Sequence, residues 1–364
     1  MKNPFELGYP AADDLLLVPA KGILRSRGDA VLKPFLYSAP MDRVTGYWLT
    51  KKMLELGEIP VISRFLGAEE RQRCLTEFHS TEAFFAIGGT AEHLQVFLDE
   101  IKELLPTLEN ETTFYINVAV DIAHGYSVGG IEAVRFLRDD LKFVNYIMSG
   151  SVATGQGAIE LVKAGASHIR VGIGGGSACT TRINTAVGVP TITSVYDVAR
   201  ALKTIKSKAI VIADGGIKTP GCAVKNLAAG ATGIMMGHEF AKCFESPGWD
   251  IQMPDYSNQM LVCGPAADRM PKAYVKTYRG QASAEFQVDR HGEASWCPEG
   301  ASAAPMNWEG DTVESTIMKY RGGLSSAISY LGLTSIDELI PEKVEFIQIT
   351  NAGRIESLDH ANLK

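Results

Sequence analysis

Apolar residues in this chain fall in short continuous runs, separated by stretches whose apolar positions recur every three or four residues. The runs lie at 35–39 (PFLYS), 59–63 (IPVIS), 83–87 (AFFAI), 114–120 (FYINVAV), 144–148 (VNYIM), 168–172 (HIRVG), 209–213 (AIVIA) and 233–237 (GIMMG). Uninterrupted runs of this length suit strands covered on both faces, as in a parallel sheet wrapped by helices. Between them lie amphipathic segments such as 93–105, 130–138, 156–164 and 221–229. Strand–helix units repeated in this way predict an α/β fold, a (β/α)8 TIM barrel, with a doubly wound open sheet as the alternative.

The texture changes near residue 240. Residues 240–310 are rich in Gly, Pro, Ser and Ala and show no clear period. Such a stretch predicts an irregular, mobile flap over the barrel mouth. Its scattered aromatics speak against full disorder. A closing helix over 312–331 and a terminal strand over 344–350 (VEFIQIT) follow. Residues 1–364 thus read as a single barrel domain with the flap inside it.

Composition narrows the partners. The chain has 364 residues, 46% of them hydrophobic and 21% charged, enough apolar material for a sizeable core. A net charge of −7 without basic runs gives no nucleic-acid surface. No apolar run reaches the length of a membrane span, and "MKNPFELGYPAADD" lacks a signal-peptide core, so a cytoplasmic location is expected. The six cysteines (Cys74, Cys179, Cys222, Cys243, Cys263, Cys297) include no CxxC pair. That spacing argues against structural zinc and a disulfide framework, and for a reducing compartment.

Candidate chemistry sits where strands end. "VGIGGGSACTTR" (171–182), "ADGGIKTPG" (213–221) and "MMGHEFA" (235–241) each turn out of a strand through glycine. Such turns present bare N–H groups, the geometry a phosphate needs, and Ser177 adds a hydroxyl. Their plainer use is a tight turn. Asp214 suits a ribose diol or a helix cap. Asp121, in "VAVDIAHGYS", ends the fourth predicted strand and faces the expected mouth or makes a loop hydrogen bond. Cys179 is a core filler or a nucleophile, its loop N–H groups favouring thiolate. Thr181 lies two residues on, and Glu299 in "CPEG" is a candidate acid–base group.

These segments together resemble one family. "GIGGGSACTTR", "DDLLLVPA" (13–20), "SAPMDRVTG" (38–46), "VDIAHGYS" (120–127), "SGSVATGQGAIELVKAGA" (149–166), "ADGGIKTPG", "KTYRG" (276–280), "PEG" (298–300) and "GGLSSAISYLG" (322–332) are similar to the ordered motifs of the IMP dehydrogenase and GMP reductase family. The resemblance implies a (β/α)8 barrel acting on a purine nucleotide monophosphate. Cys179 would attack C2 of the purine, aided by Thr181 and Glu299. Ser177, Gly216, Gly237, His238, Tyr278 and Gly280 would help hold the nucleotide and its phosphate, Asp214 its ribose, and Met41 would pack near the base. Asp121, Ala123, Gly125 and Ser151 would line the nicotinamide side. Carbonyls of Gly174, Gly176 and Cys179 match positions that bind a monovalent cation such as K+. A homotetramer or octamer is implied.

Two branches of the family run opposite chemistry. The dehydrogenase oxidises IMP to XMP with NAD and hydrolyses the adduct, using an Arg–Tyr pair on its flap. The reductase displaces ammonia from GMP and uses NADPH. No tyrosine lies between Tyr278 and Tyr320, the nearest candidate pair being Arg290–His291, and there is no room for the regulatory insert of most dehydrogenases. These features favour GMP reductase with NADPH over an insert-free IMP dehydrogenase with NAD, or a reductase of a related deoxypurine nucleotide. Ser151, Gly175, Ala39 and Gln281 depart from the family's usual Asn, Pro, Ser and Met.

Overall fold

The computed structural model describes residues 3–104, 114–249, 275–302 and 306–357. After a short outer strand, β1 (Leu15–Leu17), eight strands form at the eight apolar runs. They are β2 (Leu36–Ser38), β3 (Val61–Ile62), β4 (Phe84–Ile87), β5 (Ile116–Asp121), β6 (Val144–Val152), β7 (His168–Val171), β8 (Ile210–Asp214) and β9 (Gly233–Met236). Parallel hydrogen bonding runs in the order β2-β9-β8-β7-β6-β5-β4-β3. The last gap is closed by a parallel bridge from Tyr37 to Ile59, whose N–H donates to Leu36 O at 3.1 Å. That closure makes the sheet a (β/α)8 barrel and removes the open doubly wound alternative.

Helices fill the connections: α1 (Pro4–Leu7) precedes the barrel, then α2 (Tyr47–Glu55), α3 (Ala68–Phe78), α4 (Ala91–Leu104), α5 (Val128–Asp140), α6 (Gly155–Ala164), α7 (Thr181–Thr185), α8 (Thr191–Thr204), α9 (Pro220–Ala228) and α10 (His238–Ala241). Hydroxyl caps start several of them. Ser127 accepts from Gly130 N, Thr154 from Gly157 N, and Thr219 from Cys222 N with Pro220 at the first helical position. Each cap satisfies an orphan N–H and fixes where the strand-end loop stops. The charged α3 buries its inner face through Arg71, Cys74, Leu75 and Phe78, at the spacing of an amphipathic helix.

Two cores result. Tyr37, Val61, Phe84, Ala86, Ala119, Met148, Ile212 and Met235 fill the barrel interior, and a larger set fills the layer between strands and helices. At the N-terminal end of the strands His168 packs among the rings of Tyr37, Phe84 and Tyr146. Burial lowers its pKa to about 4, so the plug is neutral at ordinary pH.

The C-terminal part is more ordered than its composition predicts. Within 240–310 the chain forms β10 (Val275–Lys276) and α11 (Ala284–His291), and β10 pairs antiparallel with β11 (Met306–Asn307). α11 is capped by Ser283, which accepts from Phe286 N, and its apolar anchor Phe286 packs edge-on against Phe65. Residues 250–274 and 303–305 of the expected flap, with Cys263, lie outside the described residues. The closing helix is α12 (Val313–Tyr330), followed by β12 (Phe346–Gln348) and α13 (Asn351–Glu356). β12 pairs antiparallel with β1, the partner that sequence reading did not supply.

α12 is locked to the barrel floor. Glu58, 1% exposed, accepts from Phe35 N and Leu36 N at 2.9 Å each, and Arg321 of α12 donates to its other oxygen at 2.9 Å. Among the described residues no helix is long and apolar enough to cross a membrane.

Candidate active site

A cleft of about 360 Å³ opens at the C-terminal ends of the strands, where barrel folds carry their chemistry. The glycine loop after β7 forms one wall. Gly172 has φ 142°, and a Cβ there would stand 2.0 Å from Asp214 O. Gly215 has φ 89°, and a Cβ there would meet Gly176 N at 2.8 Å. The loops after β7 and β8 therefore touch backbone to backbone, an approach only glycine allows. Arg182 braces the loop from behind, its Nε donating to Ile173 O at 2.8 Å.

Cys179 lies on the far limb of this loop, half-buried and facing the cleft. Its Sγ donates to Thr181 Oγ1 at 3.2 Å, and Thr181 Oγ1 donates to Glu299 Oε2 at 2.7 Å. The segment that carries Glu299 is pinned to the same loop. Thr180 N donates to Glu299 O at 2.9 Å, Ala301 N to Ala178 O at 2.9 Å, and Cys179 bridges Gly300. Cys179 and Thr181, two residues apart, and the distant Glu299 thus form one proton path from thiol to carboxylate. The other described cysteines are free as well. Cys74 and Cys243 are buried, and burial pushes both thiols up, Cys74 to about 12.

The opposite wall is electrostatic. Arg170 is buried between Asp121, which ends β5, and Asp214, which ends β8. Its Nη1 donates to Asp121 Oδ1 at 2.6 Å, and its Nη2 to Asp214 Oδ2 at 2.9 Å. The two aspartates hold its pKa above the ordinary value against the opposing effect of burial. One cation between two carboxylates leaves the second oxygen of each aspartate for a ligand, and both residues line the cleft. Sequence reading missed Arg170, although a lone charge inside "HIRVG" is a usable signal: a charge in a buried strand needs a partner. Arg64 also lines the cleft. Its guanidinium lies 4.1 Å from the Phe65 ring, with Nη1 3.2 Å from His93 Nε2, and burial lowers its pKa.

Tyr278 marks the remaining end. It is buried, its hydroxyl 3.8 Å from Met41 Sδ and close to Ser177, and burial raises its pKa. A Cβ on Gly237 would lie 3.2 Å from both Met41 Sδ and Tyr278 OH, so that glycine abuts the same corner.

Of the expected residues, Met41, Asp121, Ala123, Ser151, Gly174, Gly176, Cys179, Thr181, Asp214, Tyr278, Gly280 and Glu299 line the cleft. Ser177 and Gly237 border it at the Tyr278 corner, and Gly216 lies near Gly175 O. Gly125 sits beneath it, donating to Ser151 O at 2.8 Å. His238 packs edge-on against Tyr278 and turns its Nδ1 to Glu239, lining a separate cavity. Arg290 and His291 do not line the cleft. Arg290 lies over Phe65 and Phe286, 5.3 Å and 5.8 Å from their ring centroids, and donates to Phe65 O. His291 is exposed at the end of α11. Gln281, which does line the cleft, ties its amide to Pro40 O at 2.6 Å.

Residues 26–360 match the model of the IMP dehydrogenase / GMP reductase domain. The chain belongs to that family. Relatives named inosine-5'-monophosphate dehydrogenase include that of Haemophilus influenzae, 40% identical over 330 residues, covering 87% of this chain and 60% of the relative. That of Pasteurella multocida is 38% identical over 297 residues, 80% of this chain and 55% of the relative. That of Halalkalibacterium halodurans is 36% identical over 248 residues, 67% of this chain and 47% of the relative. The chain spans about half the length of the curated relatives it matches. The family match runs through the glycine loop, both aspartates and the Glu299 segment, so the cleft lies wholly within it.

Proposed function

We propose that this family member is an oxidoreductase acting at C2 of a purine nucleoside monophosphate, with a nicotinamide dinucleotide as hydride carrier. The path from Cys179 through Thr181 to Glu299 carries this reading, because a thiol needs a route for its proton before it can add to a ring carbon. The cleft volume falls in the range of small-molecule sites, and its two sides differ in the way two ligands require. Tyr278, Ser177, Gly216 and Gly237 hold the anionic end of the nucleotide with Gly280 and His238 beside it, Asp214 holds the ribose diol, and Met41 packs on the base. Asp121, Ala123, Gly125 and Ser151 form the side for the carrier, which when bound supplies a hydride acceptor or donor.

Cys179 adds to C2 as its proton moves to Thr181 and Glu299. In oxidation of IMP, hydride leaves C2, water then replaces sulfur at that carbon, and XMP, reduced NAD and one proton result. The departing sulfur regains the proton held by Glu299, which then takes the water's proton through Thr181. The names of the relatives support this direction. The second reading is reductive deamination of GMP to IMP with NADPH, in which the same pair protonates departing ammonia and hydride displaces sulfur. The placement of Arg290 and His291 away from the cleft favours it, since hydrolysis has greater need of an added base.

A monovalent cation such as K+ at the carbonyls of Gly174, Gly176 and Cys179, assembly into tetramers or octamers, and a cytoplasmic location belong to the same reading. Gly176 O already accepts from Cys179 N at 3.1 Å, so it would offer its second lone pair. The test is direct. IMP with NAD should yield XMP, or GMP with NADPH should yield IMP and ammonia. Neither product forming, with the thiol unmodified by either nucleotide, overturns the proposal.

A further inference from the structure

Lys276 is 0% exposed, yet the proposed chemistry gives it no task. Its Nζ donates to Ser246 O at 2.6 Å and stands 4.1 Å from the ring centroid of Trp249. The main chain is joined there too: Lys276 bridges Trp249, and Thr277 N donates to Gly248 O at 2.5 Å. Two residues further on, Tyr278 reaches the corner of the cleft beside Met41, Ser177 and Gly237. A side chain that fastens β10 therefore also sets where the phenol stands.

The groups around the amine are few. Cys243 and Glu245 face it from the segment after α10. Cys243 Sγ lies 3.3 Å from Thr316 Oγ1 of α12 and feels Asp311. Glu245 Oε2 accepts from Val313 N at 3.0 Å, feels Lys52, and its other oxygen has no partner among the described residues. Burying an ammonium here is unfavourable, and an apolar side chain of similar length would fill the space more cheaply. Stability alone does not account for a lysine at this point.

We propose that Lys276 is a positioning residue: its ammonium, held by Trp249 and Ser246 O, fastens the chain that presents Tyr278 to the anionic end of the nucleotide. The inference rests on the functional reading above for the nature of that ligand. Burial lowers the amine to about 7, with Cys243 and Glu245 pulling the other way. Below that pH the ammonium is present and the attraction to the ring is made; above it the amine is neutral and that attraction is lost. The stability sign is opposite. A depressed lysine destabilises the fold as pH falls from its unfolded value toward 7, so Lys276→Met should melt no lower than the parent at pH 7.

The experiment follows tryptophan emission and IMP binding from pH 5.5 to 9 in the parent and in Lys276→Met, with Trp249→Leu as a second variant. The parent's emission should change with a midpoint near 7, and both variants should lack that step. Parent affinity for IMP should fall about tenfold above the midpoint, the scale of a desolvated cation–ring contact, and Lys276→Met should bind about tenfold more weakly at pH 6. The ionisation of the IMP phosphate itself persists in both variants and serves as the baseline. Unchanged binding by Lys276→Met across this range, or no emission step in the parent, overturns the proposal. Binding of neither IMP nor GMP by the parent at any pH, with the emission step present, overturns the functional reading, whereas nucleotide binding without an emission step overturns this inference alone.

Discussion

Two arginine–carboxylate groups, each with a buried member, stand at opposite ends of the barrel. On the floor, Glu58 gives one oxygen to Phe35 N and Leu36 N and the other to Arg321, so each carboxylate oxygen has a protein partner. At the mouth, Arg170 sits between Asp121 and Asp214 and leaves an oxygen of each facing the cleft. The first arrangement is closed and holds strands to the closing helix. The second carries a residual negative charge and unspent acceptors, the mark of a place built to receive a ligand that donates hydrogen bonds. Similar chemical groups are closed by the protein at one end and left open to the cleft at the other, and the difference is whether the protein itself uses every acceptor.

Substitutions can break this contrast. The largest effect belongs to the mouth: Cys179→Ala should lower turnover about 10⁴-fold or more, with the melting temperature nearly unchanged, as steady-state assay and calorimetry would show. A large loss of stability there would mean that the thiol is core filler. On the floor, Glu58→Ala should cost about 4 kcal/mol by urea unfolding, because Arg321 and two N–H groups lose their acceptor. Turnover per folded molecule should persist.

Arg170→Met should cost less stability, about 2–3 kcal/mol, since the cleft lets water reach the aspartates it abandons. It should also weaken nucleotide and cofactor together, raising both KM values, because one guanidinium orients both carboxylates. A change in only one KM would separate the two aspartates. The smallest effect is a pH slope. His168 has its pKa lowered to about 4 from 6.5, so the unfolded chain binds more protons between those values. Stability is complete above about 6.5 and is lost as pH falls toward 4, by at most about 3 kcal/mol, and His168→Phe should flatten that slope in urea titrations.

What the linear sequence determined is what depends on near neighbours. Continuous apolar runs at 114–120 and 209–213 become β5 and β8 because a strand buried on both faces has no polar side to show. The glycine loop, its thiol and its threonine were legible for the same reason, being packed within twelve residues. Tertiary structure alone decided the rest. It set Glu299 against Thr181 across 118 positions, placed Arg170 between two aspartates, paired β12 with β1, and drew Arg290 onto Phe65 and away from the cleft. Each of those outcomes depends on where the closed barrel brings distant strand ends and loops, and no local pattern of apolar and polar residues encodes that meeting.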